Sequence, residues 1–280
     1  MLSDYAPGSV SLVAGGTDLL LDLRQGRHCV VDALVDVNHI PELQRFQLEG
    51  DNLYIGAAVP LNQITESSLV IQYAQALSEA TGLIGGPQVR NTATLGGNVA
   101  HALPAGDGTI SMLSLNAQAD IASKEGIRRI PLGQLFNGPG QSTLDPCGEL
   151  IVGFVIPACK PGEASSFKRV MRPQGVALPI LNMSAWIKRV DDRIEDIRLA
   201  VGPAGRTPQR GSAAEDVLRG HPLSDDLMDA ALEALLQSIS LRTSKLRATK
   251  EYRTHLAGVL LRDVLQCAWQ RCGDNLKVVK

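Results

Sequence analysis

Val13-Ala14-Gly15-Gly16-Thr17-Asp18 and Thr94-Leu95-Gly96-Gly97-Asn98 are the two stretches on which the reading of this chain turns. The first lies between a short apolar run (Val10, Leu12, Val13) and a helix-like stretch that opens at Thr17. A glycine pair at such a junction leaves backbone N–H groups uncovered beside a helix start, which suits an anion such as a phosphate. The second stretch repeats that chemistry about eighty residues later. One diphosphate can then be held from two sides, and the pair reads as the grip of a dinucleotide. The bland alternative is a tight turn, the usual meaning of a lone glycine pair. Neither stretch has the G-x-G-x-x-G or G-x-x-x-x-G-K-[ST] spacing of the Rossmann and P-loop motifs.

Around the glycines the side chains fit that chemistry. Thr17 can cap a helix or reach a phosphate oxygen. Thr94 and Asn98 offer hydroxyl and amide partners. Asp107, nine residues beyond Asn98, stands at a helix start, where a carboxylate either caps free N–H groups or accepts from a sugar hydroxyl. His101 sits inside the glycine-rich segment, and the other histidines, His28, His39, His221 and His255, are dispersed without a paired carboxylate at useful spacing. No histidine is therefore expected to act as a general base. There is no G-x-S-x-G elbow and no H-E-x-x-H helix. The chain shows a cradle and no catalytic residue.

Composition narrows the class. The 280 residues carry 27 basic and 29 acidic side chains, so a broad nucleic-acid footprint is not expected. The densest basic stretch, Arg242 to Lys250, has four cations in nine positions and reads as a solvated face or a subunit contact. No apolar run approaches the ~18–20 residues of a membrane span, and the first residues lack the layout of a secretion signal. The five cysteines, Cys29, Cys147, Cys159, Cys267 and Cys272, include no C-x-x-C pair. Neither a metal site nor an iron–sulfur cluster is expected on this chain, and a cytoplasmic location is.

The pattern of turns and periodicities divides the chain near Pro157–Gly162. Before it, strands are expected near Val10–Val13, Cys29–Asp32, Gln44–Leu48, Leu53–Ala58, Ala119–Ser123, Ile127–Pro131 and Leu150–Ile156. Helices are expected near Thr17–Arg24, from Pro60 to about Thr81, and over Gly108–Leu115. These make a small lobe of about residues 1–58 and a larger lobe of about 59–160. Beyond the divide, Ser165–Met171, Ile180–Val190 and Arg193–Val201 read as a three-stranded antiparallel sheet. Three helices follow, near Ser212–Arg219, Ser224–Ser240 and Thr249–Arg271. Strands first and helices afterwards indicate a separate α+β unit over 161–280.

With both glycine motifs placed, the chain resembles the FAD-binding subunits of the xanthine dehydrogenase family of molybdenum hydroxylases. The likeness runs over nearly the whole length. It is carried by Ala14-Gly15-Gly16-Thr17-Asp18-Leu19 and by Gly86-Pro87-Gln88-Val89-Arg90-Asn91-Thr92-Ala93-Thr94-Leu95-Gly96-Gly97-Asn98 with Pro104 and Asp107. Ser166-Phe167-Lys168-Arg169, Lys250-Glu251-Tyr252-Arg253 and Leu260-Leu261-Arg262 complete it. The resemblance implies a two-lobed PCMH-type FAD fold, as in vanillyl-alcohol-oxidase-like flavoproteins, over 1–160. A small C-terminal domain like that of carbon monoxide dehydrogenase flavoproteins would follow. It places Val13 to Leu19 and Thr94 to Asn98 on the diphosphate, Asp107 on sugar-derived hydroxyls, and Ile84, Ile151 and Lys168 at further cofactor contacts. Ile84 stands where animal relatives carry an aromatic, so aliphatic packing replaces stacking. Only thirteen residues precede Ala14, a shorter lead-in than is usual in the family. The cysteine-bound cluster of the hydroxybenzoyl-CoA-reducing branch has no counterpart here.

The function implied is an electron relay. Electrons leave a molybdopterin cofactor on a large subunit, cross two [2Fe–2S] clusters on a small subunit, and pass through this FAD to NAD or another acceptor, with purine (xanthine) oxidation as one candidate reaction. The alternatives are a self-sufficient flavoprotein reductase of the same superfamily, or an assembly subunit that has lost FAD. Replacing Gly16 or Gly97 by a bulky residue is expected to remove the flavin, measured as flavin absorbance per purified chain.

Overall fold

The computed structural model describes residues 8–27, 31–172, 178–244 and 247–277. The chain opens with strand β1 (Val10–Val13), helix α1 (Leu19–Arg24) and strand β2 (Ala33–Asp36), and β1 and β2 pair in parallel. Helix α2 (Pro41–Gln44) leads to the hairpin β3 (Phe46–Glu49) and β4 (Asn52–Gly56). Three short helices follow: α3 (Leu61–Glu66), α4 (Ser68–Tyr73) and α5 (Gln75–Gly82). Helices α6 (Pro87–Arg90), α7 (Leu95–Ala100) and α8 (Asp107–Ser114) carry the chain through the glycine-rich region. Strands β5 (Gln118–Ser123) and β6 (Gly126–Pro131), the small ribbon β7 (Phe136–Gly138) with β8 (Gln141–Ser142), and β9 (Leu150–Pro157) complete this half.

The five-stranded sheet runs in the order β3-β4-β9-β5-β6, with every neighbouring pair antiparallel. Its centre is β9, whose residues 151–156 are all buried. Leu53, Ile55, Ala119, Ile121, Phe154 and Ile156 pack there with Leu61, Ile64 and Leu77 from the helices. The hairpin at Asp51-Asn52 thus belongs to this sheet. That corrects the small lobe expected to reach residue 58, because β4 pairs with β9 along its whole length. Period-two alternation marked the hairpin, but only the non-local pairing shows which sheet it joins.

Two further boundaries differ from expectation. The strand expected at Cys29–Asp32 forms at Ala33–Asp36, and residues 28–30 lie outside the described residues. The helical stretch expected from Pro60 to Thr81 is broken twice. Ser67 is extended and caps α4 through its hydroxyl, which accepts from Val70 N–H at 3.5 Å, and Ala74 turns out of the helix with φ of −150°.

The second sheet contains β10 (Glu163–Met171), β11 (Pro179–Val190), β12 (Arg193–Gly202) and the two-residue β13 (Gln209–Arg210). The expected three strands are thus joined by a short fourth at the edge. Asp191, at φ of 52°, makes the tight turn between β11 and β12. Helices α9 (Ser212–Leu218), α10 (Asp225–Ser238) and α11 (Lys250–Lys277) follow.

This sheet is covered on both faces, and β11 is accordingly buried from Pro179 to Ile187 without a break. Leu181, Met183, Ala185 and Ile187 pack with Leu256, Leu260, Leu261, Val264 and Leu265 of α11. Alternate positions face the first half of the chain, where Trp186 joins the other core together with Phe167 and Ala200. Truncating Phe154, fully buried in the central strand, to alanine is expected to cost about 3–5 kcal/mol, read from urea denaturation of the chain.

A candidate cofactor cleft

The first glycine loop leaves β1 and is anchored from behind. Val37 N–H donates to the Val13 carbonyl at 3.0 Å and Asn38 Nδ2 to the Ala14 carbonyl at 2.9 Å. Gly15 then lies flat on the backbone just before the second motif. A Cβ added there would sit 2.1 Å from the Thr92 carbonyl oxygen. Gly16 follows with φ of 65°, a left-handed conformation that disfavours other residues. The carbonyls of Gly16 and Asp18 accept from Leu20 and Asp22 and start helix α1. The N–H groups of residues 15–18 have no partner among the described residues. They are the uncovered donors that the sequence predicts.

The second motif is built differently. Thr94 caps α7 by accepting from Gly97 N–H at 3.1 Å, Leu95 N–H donates to the Val59 carbonyl at 3.3 Å, and Gly96 N–H to the Ala57 carbonyl at 2.9 Å. The amides expected to clasp a phosphate from this side are therefore satisfied within the protein. Their helix start is stitched to residues 57–59, and α7 contributes shape in their place. A Cβ on Gly96 would stand 2.6 Å from Ala57, so only glycine lets the helix seat there. Gly97 is exposed.

Both loops line one cavity of about 120 Å³, with Leu12 and Ala14 on one side, Gly96, Gly97 and Ala100 on another, and Ile151 on β9 as part of the wall. That volume is too small for an entire dinucleotide and fits one apolar portion of it. Glu149 is the charged side chain of the lining. Asp145 N–H, at 3.0 Å, and Arg128, at 2.8 and 3.1 Å, hold its carboxyl below the usual range. Uncovered amides, bare glycine surface and an aliphatic wall suit a ligand with an anionic linker and a flat apolar ring.

Several predicted residues are placed elsewhere. Asp107 is only 4% exposed, and its carboxylate turns inward onto Arg169 and onto Asn182 Nδ2, which donates at 2.6 Å. Burial pushes its pKa up, opposed by Arg169 and Asn182. Both oxygens have partners in the protein, and each keeps a lone pair with which a carboxylate accepts a further donor. Lys168 precedes Arg169 on β10. Register pairs it with Met183, on the helix-covered face, whereas Arg169 pairs with Asn182 and reaches across to Asp107 and the Leu83 carbonyl. Strand alternation makes neighbouring residues point opposite ways, so Arg169 and not Lys168 faces Asp107.

Ile84 packs partly buried against the first core, and its carbonyl accepts from Arg90 Nη1 at 3.2 Å. It does not line the cavity. Asn98 carries a buried side-chain oxygen with no hydrogen-bond partner, directed at Gly108 on the start of α8. His101 has two carboxylates beside it. It closes α7 between Asp18, at 3.4 Å, and Asp22, at 3.5 Å. About eighty residues separate the partners, so no local spacing reveals them.

Residues 3–159 match a family model described as FAD binding domain in molybdopterin dehydrogenase, and residues 165–268 match the CO dehydrogenase flavoprotein C-terminal domain. The chain belongs to this FAD-binding family of the molybdopterin dehydrogenases. It is 32% identical to the xanthine dehydrogenase FAD-binding subunit of Escherichia coli O157:H7, over 95% of this chain and 91% of that one. Against the nicotine 6-hydroxylase medium subunit of Paenarthrobacter nicotinovorans it is 34% identical, over 90% and 87%. A solved carbon monoxide dehydrogenase from Hydrogenophaga pseudoflava superposes with a TM-score of 0.91 at 28% identity, covering 97% of this chain and 93% of that chain. This family member is therefore an oxidoreductase component with the α+β, two-lobed architecture that the resemblance implies. No helix among the described residues is long and apolar enough to cross a membrane.

The site fits FAD on its own geometry, through the amides of residues 15–18, which have no partner among the described residues, and the closely packed glycines. Arg169→Ala leaves Asp107 buried without its cation. It is expected to destabilise the chain by about 3–5 kcal/mol in urea denaturation, whereas Lys168→Ala is expected to cost under about 0.5 kcal/mol.

Proposed function

We propose that this chain is the flavin-bearing relay of a molybdenum hydroxylase complex, and that its FAD diphosphate lies on the amides of residues 15–18. The observation that carries the reading is that Leu12 and Ala14, which lead directly into those free amides, line one cleft with Gly96, Gly97 and Ile151. Val13 to Leu19 hold the anionic linker. Leu95 to Asn98 give the backbone surface, with Thr94 acting as the cap that shapes it. Ile151 and Leu12 form the apolar wall and keep water from it. Arg169 and Asp107 fix the C-terminal sheet against the lobe that carries these loops.

Bound FAD supplies an acceptor that takes electrons one at a time and passes them on in pairs. The residues of this chain bind, orient and shield it, and none needs to move a proton. The partners in this reading are a small subunit with two [2Fe–2S] clusters and a large molybdopterin subunit, with NAD or another molecule as the final acceptor. Xanthine is the substrate we favour, since the xanthine dehydrogenase subunit is among the relatives matched over nearly full length. The complex is placed in the cytoplasm. The domain division falls near residue 160, after β9, where one core gives way to the two-faced sheet.

A tagged chain recovered from its native host is expected to be yellow, to carry close to one FAD, and to bring down molybdenum- and iron-containing chains. A folded chain that is colourless, binds no added FAD and recovers alone refutes the relay and leaves the assembly-subunit reading.

A further inference from the structure

His101 lies where the two glycine motifs meet. Its Nδ1 stands 3.4 Å from Asp18 Oδ2 and its Nε2 3.5 Å from Asp22 Oδ2. Ionised carboxylates only accept, so both ring nitrogens can donate only when the imidazole is protonated. Asp18 is the residue from which α1 starts, and His101 closes α7, so the contact spans the mouth between the two loops. We propose that His101 is a positioning residue that latches the first glycine loop to the second and holds the free amides of residues 15–18 ready for a diphosphate.

The inference rests on the flavin-binding reading above. A second argument supports it. Without the imidazolium, Asp18 and Asp22 present two negative charges beside the loop meant to receive an anion. Arg27, 3.3 Å from Asp22 Oδ1, offsets one of them. Asp18 has His101 as its ion-pair partner among the described residues and is 54% exposed. Asp18 and Asp22 on α1 are the charged groups that face the ring, and hydrogen bonding to Asp18 raises the imidazole pKa, against the opposing effect of burial. Asp18 in turn is held below its ordinary value, chiefly by the hydrogen bond from His101.

The sign follows. A histidine with a raised folded pKa gives its full contribution below the ordinary value of about 6.5 and loses it as pH rises through the raised one. FAD dissociation constants are to be measured by quenching of flavin fluorescence between about pH 5.5 and 9, on the full-length native chain, His101→Gln and Asp18→Asn. Circular dichroism checks folding. The native chain is expected to bind tightly at acidic pH and to weaken across the imidazole titration. Both variants are expected to be weaker by about five- to tenfold at the acidic end, His101→Gln flat with pH and Asp18→Asn, which keeps His101 against Asp22, with a reduced slope. If His101→Gln fails to fold, Asp18→Asn, at a more exposed position, carries the test. A folded variant that matches the native affinity to within about twofold with the same pH slope overturns the latch alone. A native chain that binds no FAD at any pH overturns the flavin-binding reading and the latch with it.

Discussion

No side chain fits between Gly15 and the carbonyl of Thr92, and the arrangement of the cleft depends on that closeness. The first loop can lie on the backbone leading into the second only because one position has no Cβ. Once it does, β1, α1 and the start of α7 share one surface, and His101 comes within reach of Asp18 and Asp22. Gly96 applies the same constraint on the other side, seating α7 on Ala57. Among the described residues the first loop leaves its amides free, while Leu95, Gly96 and Gly97 of the second bond within the protein and supply a smooth wall. The chain thus divides between its two motifs what the sequence assigns to both.

The second constraint is the polar joint between the halves of the molecule. Ser114 and Ser184 share a hydrogen bond of 2.6 Å, Ala76 N–H donates to Ser165 Oγ at 3.0 Å, and Phe167 N–H to Glu79 Oε2 at 2.8 Å. Asp107, Arg169 and Asn182 form its charged part. Buried polar groups of this kind cost little when matched and much when mismatched, so they fix register more than they add stability. The joint explains why β11 carries Asn182 and Ser184 among apolar neighbours. Those side chains point at α8, and the residues between them point at α11.

Much of the architecture was legible from short-range pattern. The strands at Leu150–Ile156 and Ile180–Val190 and the helices after Ser212 follow from alternation, turn residues and helical spacing, all of which act within a few residues. The glycine words located the cleft for the same reason. Residues whose meaning depends on a distant partner were not legible. Lys168 and Arg169 are adjacent cations in the sequence, and only the pairing of β10 with β11 decides which one faces Asp107. Asp107 at a helix start reads as a cap or a sugar ligand, and only its burial against the second sheet gives it Arg169 and Asn182 as partners. The pair of carboxylates around His101 is invisible because the chain travels through two sheets before returning to it.

By itself the sequence determined the family, the order of elements and the two places where the backbone must lie bare, because backbone conformation and hydrophobic period are local properties. The tertiary structure decided which amides stay free, which cation is buried, where the hairpin at Asp51-Asn52 is incorporated, and which acids surround the histidine. Those outcomes depend on close approach between segments far apart in the chain, and that approach is set by packing across the whole core.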